Sequence, residues 1–408
     1  MHLRIILISA FLTLLAAPLA AQIALPGVQV PRIGGLLDPV GKTLDRTIDD
    51  TRRAADRLAR DRAAMLDRLV RHNREWIERD ARGEPARRGE LLVMDADAAD
   101  LERARAAGFA TIGTARIDDL GMSVVRMRAP EDVDLDDAEE ALAELLPAAI
   151  VSADNLHFQA GRTGAAVLPL AASSAAGTSR SAVGMIDGAP GKGVAVAEVR
   201  GFASGAPIPS NHGSAIASLL ASAGVGTIRV ADVYGTDKAG GNALAIARGL
   251  GWLVGEGSEV VTISLVGPRN PVLERAIDRA HAKGVVIVAA VGNDGPAAPP
   301  AYPASYDNVV AVTAVDGKRR ALIEAGRARG LDYAAPGADI TGLNARGKRV
   351  ELRGTSFATP LVAARIARAL SSGRNWRPAL DAEAIDLGEE GRDEVYGRGL
   401  VCASCDGR

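Results

Sequence analysis

The chain has 408 residues, 48% of them hydrophobic, with 48 basic and 50 acidic side chains and a formal net charge of -2. That length and apolar content allow two or three domains with sizeable cores and exclude general disorder. Near-neutral charge with only 3% aromatic residues excludes a nucleic-acid-binding surface, which needs clustered cations and stacking rings.

At the N-terminus His2 and Arg4 precede an apolar run from Ile5 to Ala17, and Pro18-Leu19-Ala20-Ala21 then places small residues where a signal peptidase cuts. The run is shorter than the roughly 20 residues of a membrane-spanning helix. The expectation is therefore a signal peptide over residues 1–21, a secreted or periplasmic product and no stable membrane anchor. Residues 22–89 read as a charged helical extension, with Leu58, Met65, Leu66, Leu69, Trp76 and Ile77 at helical spacing between Thr43 and Asp80. Pro85 and its Gly and Arg neighbours mark a break before the next unit.

Over residues 90–160 the pattern predicts a strand at Leu91–Met94, a helix at Ala98–Ala107, strands at Phe109–Ile117 and Met122–Met127, a helix at Leu135–Leu146 and a last strand at Ala149–Phe158. This β-α-β-β-α-β order packs as a small antiparallel sheet with two helices on one face, and it shows no catalytic constellation. Residues 161–180, rich in Ala, Ser, Gly and Thr, read as an exposed linker open to cleavage.

From residue 181 to 403 apolar strands alternate with helices. Strands are expected at Ala182–Ile186, Ile228–Val233, Glu259–Leu265, Val285–Ala290 and Val309–Val315. Helices are expected at Ser214–Ala223, Ala243–Val254, Pro271–Ala282 and after Ser356. Near-continuous apolar strands separated by helices predict an α/β fold, a mostly parallel sheet covered on both faces with its site at the carboxyl ends of the strands. Cys402 and Cys405 are half of a four-cysteine zinc set with no neighbouring histidine, so a small disulfide reaching into the tail at 404–408 is expected.

Four features of this unit carry chemistry. Asp187 ends the first strand, where a buried carboxylate needs a partner; alone, it reads as turn chemistry. His212 precedes Gly213 at a helix entry, and glycine is chosen there when something must approach closely. The remaining histidines lie in the leader (His2), a charged helix (His72), the small domain (His157) and a polar helix face (His281), which leaves His212 as the one good base of the large unit. Asn293, between glycines, can donate to an oxyanion, though by itself it reads as a turn former. Ser356 follows a glycine turn and enters an apolar helix, where free N–H groups favour an oxyanion; alone, a serine there is more often an N-cap. Together they fit one mechanism without a metal: Ser356 attacks, His212 takes its proton, Asp187 orients the imidazole, and Asn293 with the Ser356 N–H holds the oxyanion.

Chain order sorts the candidate folds. No histidine follows Ser356, which excludes an α/β-hydrolase. A His, Asp, Ser order is available on paper through Asp232, but it belongs with β-barrels rather than an α/β sheet. Asp, then His, then Ser remains.

Val183-Gly184-Met185-Ile186-Asp187-Gly188, Asn211-His212-Gly213-Ser214, Ala289-Ala290-Val291-Gly292-Asn293-Asp294-Gly295-Pro296 and Gly354-Thr355-Ser356-Phe357-Ala358-Thr359-Pro360 resemble the four signature blocks of the subtilisin-like serine peptidases, the subtilases. The resemblance runs from about Ala182 to Ala403 and includes Leu331-Asp332-Tyr333-Ala334-Ala335-Pro336-Gly337, similar to the strand that leads to the serine block, and Tyr396-Gly397-Arg398-Gly399-Leu400-Val401, similar to the closing strand. It implies a serine endopeptidase that acts on proteins or peptides. It also implies that residues 90–160 are a ferredoxin-like propeptide, a folding aid and inhibitor removed by self-processing. Cleavage is expected within about Gly161–Ser179. No cofactor is implied beyond structural calcium, for which no ligands can be assigned.

The chain also departs from the family pattern. Gly188 stands where Thr or Ser usually follows the aspartate, so a hydrogen bond near that carboxylate is expected to be missing. Asn211 stands where glycine is common, and Ser214 replaces the usual threonine. The substrate-binding strand reads Ser264-Leu265-Val266-Gly267 where Ser-Leu-Gly-Gly is usual. Val266 is expected to crowd the pocket for the residue before the scissile bond and favour small side chains there, and Val291 in place of alanine points weakly the same way. A non-enzymatic binding module with this fold, which would normally have lost one of the four residues, and an acyl-transferring esterase are the alternatives.

Overall fold

A computed structural model of the protein describes residues 37–166 and 179–405. The expected signal peptide and most of the expected linker lie outside the described residues.

The chain enters on one long helix, α1 (Leu37–His72), followed by the short strand β1 (Ile77–Arg79). The sequence pattern carried Trp76 and Ile77 into a helix. Instead the chain turns at Asn73, whose side-chain amide donates to the Leu69 carbonyl, and Ile77 pairs with Arg87 across an antiparallel ladder. Pro85 likewise opens the strand β2 (Pro85–Met94) rather than interrupting the chain, a position that tolerates its missing N–H. The small domain therefore begins at Ile77, inside the expected extension. It continues through α2 (Ala98–Ala106), β3 (Ala110–Ile117), β4 (Met122–Arg128), α3 (Leu135–Leu145) and β5 (Ile150–Asn155). The sheet is antiparallel in the order β1-β2-β4-β3, with β5 also on β2. One face packs on α2 and α3 around Leu91, Val93, Phe109, Leu135 and Leu142.

Two short strands follow, β6 (Phe158–Gln159) and β7 (Arg162–Ala166), before the large domain starts with β8 (Ser179–Asp187). The expected linker thus begins with a strand and ends inside another. Next come β9 (Glu198–Gly201), α4 (Asn211–Ser222), β10 (Val225–Asp232), α5 (Ala243–Gly255), β11 (Val260–Ile263), β12 (Leu265–Val266), α6 (Pro271–Ala282), β13 (Val286–Ala290), β14 (Val309–Val315) and β15 (Leu331–Pro336). The hairpin β16 (Ile340–Leu343) and β17 (Arg349–Arg353) leads into α7 (Thr355–Ser371) and α8 (Trp376–Glu383).

Seven strands form one sheet in the order β15-β14-β13-β11-β8-β10-β9, and every pair is parallel. Both faces are covered, as near-continuous apolar strands require. On one face Ile216, Leu220, Phe357, Leu361 and Val362 of α4 and α7 meet Val183, Val230, Val288 and Val312. On the other, α5 and α6 form a continuous core with Leu92, Met94, Ile117, Leu120 and Val124 of the small domain. The second face of the small sheet is thus buried on these two helices. Gly251 permits the approach, because a Cβ there would lie 2.2 Å from Cγ2 of Ile117.

Polar contacts extend that interface. Arg87 pairs with Asp237 at 2.5 Å, Arg275 with Asp95 at 3.2 Å, and the Leu244 N–H at the start of α5 donates to Asp154 at 3.0 Å. Burial, then the neighbouring Glu90, pushes the Asp154 carboxyl up to about 7. Cys402 and Cys405 are joined as a disulfide. Among the described residues no helix is long and apolar enough to cross a membrane.

Candidate active site

Asp187 is the last residue of the central strand β8 and is fully buried. His212 is the second residue of α4, whose N-cap Ser210 accepts from the Gly213 N–H at 2.9 Å. Gly213 stands where its backbone meets the loop after Asp187: an added Cβ would come within 2.0 Å of the Gly188 carbonyl oxygen. That approach lets His212 Nδ1 donate to Asp187 Oδ2 at 2.8 Å, with both side chains almost wholly buried. Nε2 on the other side of the ring has no hydrogen-bond partner.

Ser356 is not an N-cap. Gly354 takes that position at φ 141°, and Ser356 becomes the second residue of α7, where its N–H has no acceptor within the helix. Its carbonyl likewise lacks a helix donor, because Pro360, four residues on, has no N–H to give it. Ser264, between β11 and β12, takes up that acceptor: its Oγ donates to the Ser356 carbonyl at 3.0 Å, and the Ser356 Oγ donates back to the Ser264 carbonyl at 3.0 Å. Pro360 thus ties the cleft strand to the nucleophile candidate.

Asn293 lies in the loop after β13, at the carboxyl end of the sheet. The Thr355 N–H donates to its Oδ1 at 3.1 Å, which turns its amide nitrogen toward the start of α7. There the amide donates to the carbonyl oxygen of Ala160, and the Ser356 N–H donates to the same oxygen at 3.1 Å. A peptide carbonyl from the chain's own interdomain segment therefore occupies the two-donor site that the sequence assigned to an oxyanion.

The surrounding segment lies in the cleft as an extended strand. β6 pairs antiparallel with β12, Gln159 opposite Leu265 and Phe158 opposite Val266, and the Ala160 N–H reaches the Ser264 carbonyl at 3.4 Å. Upstream, the His157 N–H donates to Gly241 at 2.8 Å and its carbonyl accepts from the Tyr234 hydroxyl at 2.9 Å. Burial, with Asp187 and Asp232 nearby, pushes the Tyr234 phenol well above its ordinary value, so it stays a donor. The His157 ring is fully buried, and burial pushes its imidazole down to about 4 against the backbone of Asn155 and Pro268, which raises it. Downstream, β7 pairs antiparallel with β17.

Between the two strands, the Ala160–Gly161 bond lies against His212, Asn293 and Ser356. A Cβ on Gly161 would sit 2.7 Å from Cε2 of Phe357 and 3.3 Å from Nε2 of His212. A Cβ on Gly354 would sit 2.8 Å from the Gly161 Cα. Val266 reaches across toward Gly292, where an added Cβ would be 3.4 Å from its Cγ1. Ala160, Val266, Asn293 and Tyr302 share the lining of a cavity of about 320 Å³. The long helix α1 flanks the same region: Arg62 pairs with Asp294 at 3.0 Å, and Leu58 lies against Gly295.

All the singled-out residues, Asp187, His212, Asn293, Ser356 and Ser264 to Gly267, thus converge at the carboxyl ends of β8, β11 and β13 and the start of α7. Sequence reasoning missed the residues that fill the cleft, His157, Gln159 and Ala160, and the flanking α1; it named Gly161 only as the start of the segment expected to be cut. The available signal was the small Ala160-Gly161 pair directly after the last strand of the small domain. Among the described residues no group of three or more His, Cys, Asp or Glu side chains is arranged to hold a metal ion.

A doubly wound parallel sheet with a buried carboxylate–imidazole pair and a serine at a helix start at its strand ends is an architecture suited to acyl transfer through serine. Comparison with known proteins narrows the class. The subtilase family profile matches residues 204–398. Subtilisin Savinase of Lederbergia lenta is 34% identical over 209 residues, 48% of this chain and 76% of the relative. Subtilisin DY of Bacillus licheniformis is 35% identical over 170 residues, 40% of this chain and 61% of that protein's length. The crystal structure of fervidolysin from Fervidobacterium pennivorans, a keratinolytic enzyme related to subtilisin, superposes with a TM-score of 0.62 at 18% identity, covering 79% of this chain and 61% of that one; this likeness concerns the fold. The chain belongs to the subtilase family.

Proposed function

We propose that this chain is the precursor of an exported endopeptidase that cuts its own Ala160–Gly161 bond and is then held inactive by the piece it has released. One observation carries the reading: the Ala160 carbonyl oxygen is gripped by the Ser356 N–H and the Asn293 amide, in a strand that pairs with the enzyme on both sides of the bond. A substrate carbonyl must sit there for its oxygen to become an oxyanion.

In this reading the Ser356 hydroxyl turns from the Ser264 carbonyl toward His212 Nε2, which has no other partner. Oγ then attacks the Ala160 carbonyl carbon while Nε2 takes its proton. The imidazolium is stabilised by Asp187 through Nδ1–H and gives the proton to the Gly161 nitrogen as the peptide bond breaks. Water, deprotonated by His212, hydrolyses the Ala160 ester and restores Ser356. The cleaved strand keeps its ladder with β12, and the small sheet keeps its apolar contact with α5 and α6, so the cut alone does not empty the cleft. The bond held in the cleft lies just before the segment from which the sequence expected the cut. Val266, with Ala160 as the occupant, supports a preference for small residues before the cut. The signal-peptide pattern at residues 1–21 supports export.

The test is expression of the full chain beside Ser356→Ala. The wild type should yield a new N-terminus at Gly161 by mass spectrometry and label with a fluorophosphonate, and Ser356→Ala should stay uncut and unlabelled. Cutting of Ser356→Ala at the same bond in pure form would refute self-processing. Labelling without hydrolysis of any peptide library would favour the esterase alternative.

A further inference from the structure

The buried carboxylate of Asp187 has two oxygens to satisfy. Oδ2 accepts from His212, and Oδ1 accepts from the Gly188 N–H at 2.7 Å and from the Gln159 side-chain amide at 3.0 Å. Gln159 lies on the strand that fills the cleft, one residue before Ala160. The peptidase domain offers Oδ1 no side-chain donor among the described residues, and the packing explains why. Position 188 is glycine, and a Cβ there would lie 2.5 Å from Ser210 Oγ and 2.9 Å from Ser210 Cβ. Ser210 fills that space with its own hydroxyl committed to the Gly213 N–H at the start of α4. A side chain at 188 that could donate to Asp187 is therefore shut out by the cap that positions His212.

We infer that the peptidase selects glutamine two residues before the scissile bond, because the substrate's side-chain amide supplies the hydrogen bond to Asp187 that the enzyme's own side chains do not. The inference rests on Ala160–Gly161 being the bond that is cut. Gln159 is then a positioning residue: it touches none of the reacting atoms but fixes the carboxylate that fixes the His212 ring. Its carboxamide is neutral, so it adds a donor without placing a competing charge beside the imidazolium that forms during attack. A carboxylate only accepts, so the group facing Asp187 must be the NH₂ end of the amide. The substrate class that follows is a peptide with Gln, then a small residue, then Gly.

The precursor and two variants test this. Gln159→Met keeps the length of the side chain and removes the donor; Gln159→Glu replaces the donor with a like charge. A hydrogen bond to a charged group is strong enough that its loss should slow first-order appearance of the Gly161 N-terminus roughly ten-fold in Gln159→Met. Gln159→Glu should be slower still at neutral pH, and its rate relative to wild type should climb as pH falls and the new carboxyl becomes a donor. That climb is a signature that loss of packing would not give. In parallel, the processed wild-type protein should cleave a peptide carrying His-Phe-Gln-Ala-Gly with about ten-fold higher kcat than one carrying His-Phe-Met-Ala-Gly, with KM changed much less. Equal rates for wild type and Gln159→Met would overturn the selection of glutamine, and a difference confined to KM would overturn its positioning role, each while leaving self-cleavage standing. A wild-type chain that yields no Gly161 N-terminus would overturn the underlying reading and this inference with it.

Discussion

Replacing His157 with glutamine should change how strongly the cut N-terminal piece grips the peptidase as pH is lowered. In the structure the His157 ring is fully buried and sealed against Gly267, where an added Cβ would lie 2.6 Å from its Cδ2. Burial pushes its imidazole from an ordinary 6.5 down to about 4. Once the piece leaves the cleft, the residue is in water and regains its ordinary value. Protons therefore bind the free piece and not the complex between those two values, and affinity falls as pH falls through that window. The loss approaches ten-fold per pH unit, which makes the complex about thirty-fold weaker at pH 5 than at pH 7.5 from this group alone. Asp154, pushed up to about 7 at the same interface, works in the opposite sense, because its proton favours the complex. Arg87, Glu90 and Asp237, the charges around Asp154, are the same in wild type and His157→Gln. The ratio of dissociation constants, wild type to His157→Gln, cancels these shared contributions. It is read from the recovery of peptide hydrolysis on dilution of each processed protein between pH 7.5 and 5. The ratio should climb about thirty-fold across that range. A ratio that stays flat would show that His157 is not sealed in the cleft.

Two further outcomes follow from the same geometry. Asn293→Leu removes one of the two donors on the Ala160 carbonyl and should slow self-cleavage by about a hundred- to a thousand-fold, measured as the rate of appearance of the Gly161 N-terminus; a loss under about five-fold would argue against an oxyanion role. Gly161→Val places a Cβ where Cε2 of Phe357 would be only 2.7 Å away, so the precursor should accumulate uncut or be cut elsewhere, as mass spectrometry of its products would show; normal cutting at the same bond would contradict the placement of Gly161.

The large domain was readable because its signals are local. Asp187, His212 and Asn293 each sit beside a glycine that permits a tight approach, Ser356 follows one by two residues, and each lies at a strand end or helix start that apolar runs mark in the sequence. The helix Pro271–Ala282 and the strand Val309–Val315 have the predicted bounds. The cleft occupant was not readable, because the pairing of Gln159 with Leu265 joins residues 106 apart and no local pattern announces it. The helical reading of Trp76 and Ile77 failed for a related reason. Their spacing suits a helix, but the ladder with β2 decides their conformation. Gly188 was legible as a departure and as a missing hydrogen bond. That the missing donor comes from Gln159, and that Ser210 keeps the position empty, required the fold.

In the proposed maturation, the strand β7, antiparallel to β17 just beyond Gly161, would be a second lock. A cut at Ala160–Gly161 makes two chain ends, and each remains zipped to its own side of the cleft. One end belongs to the departing piece, but the other belongs permanently to the enzyme. The new N-terminus must peel from β17 before a foreign chain can lie across the cleft, so the mature enzyme carries a tethered competitor for the half-site beyond the cut. Its appetite for external protein would then be set partly by how readily that first strand lets go.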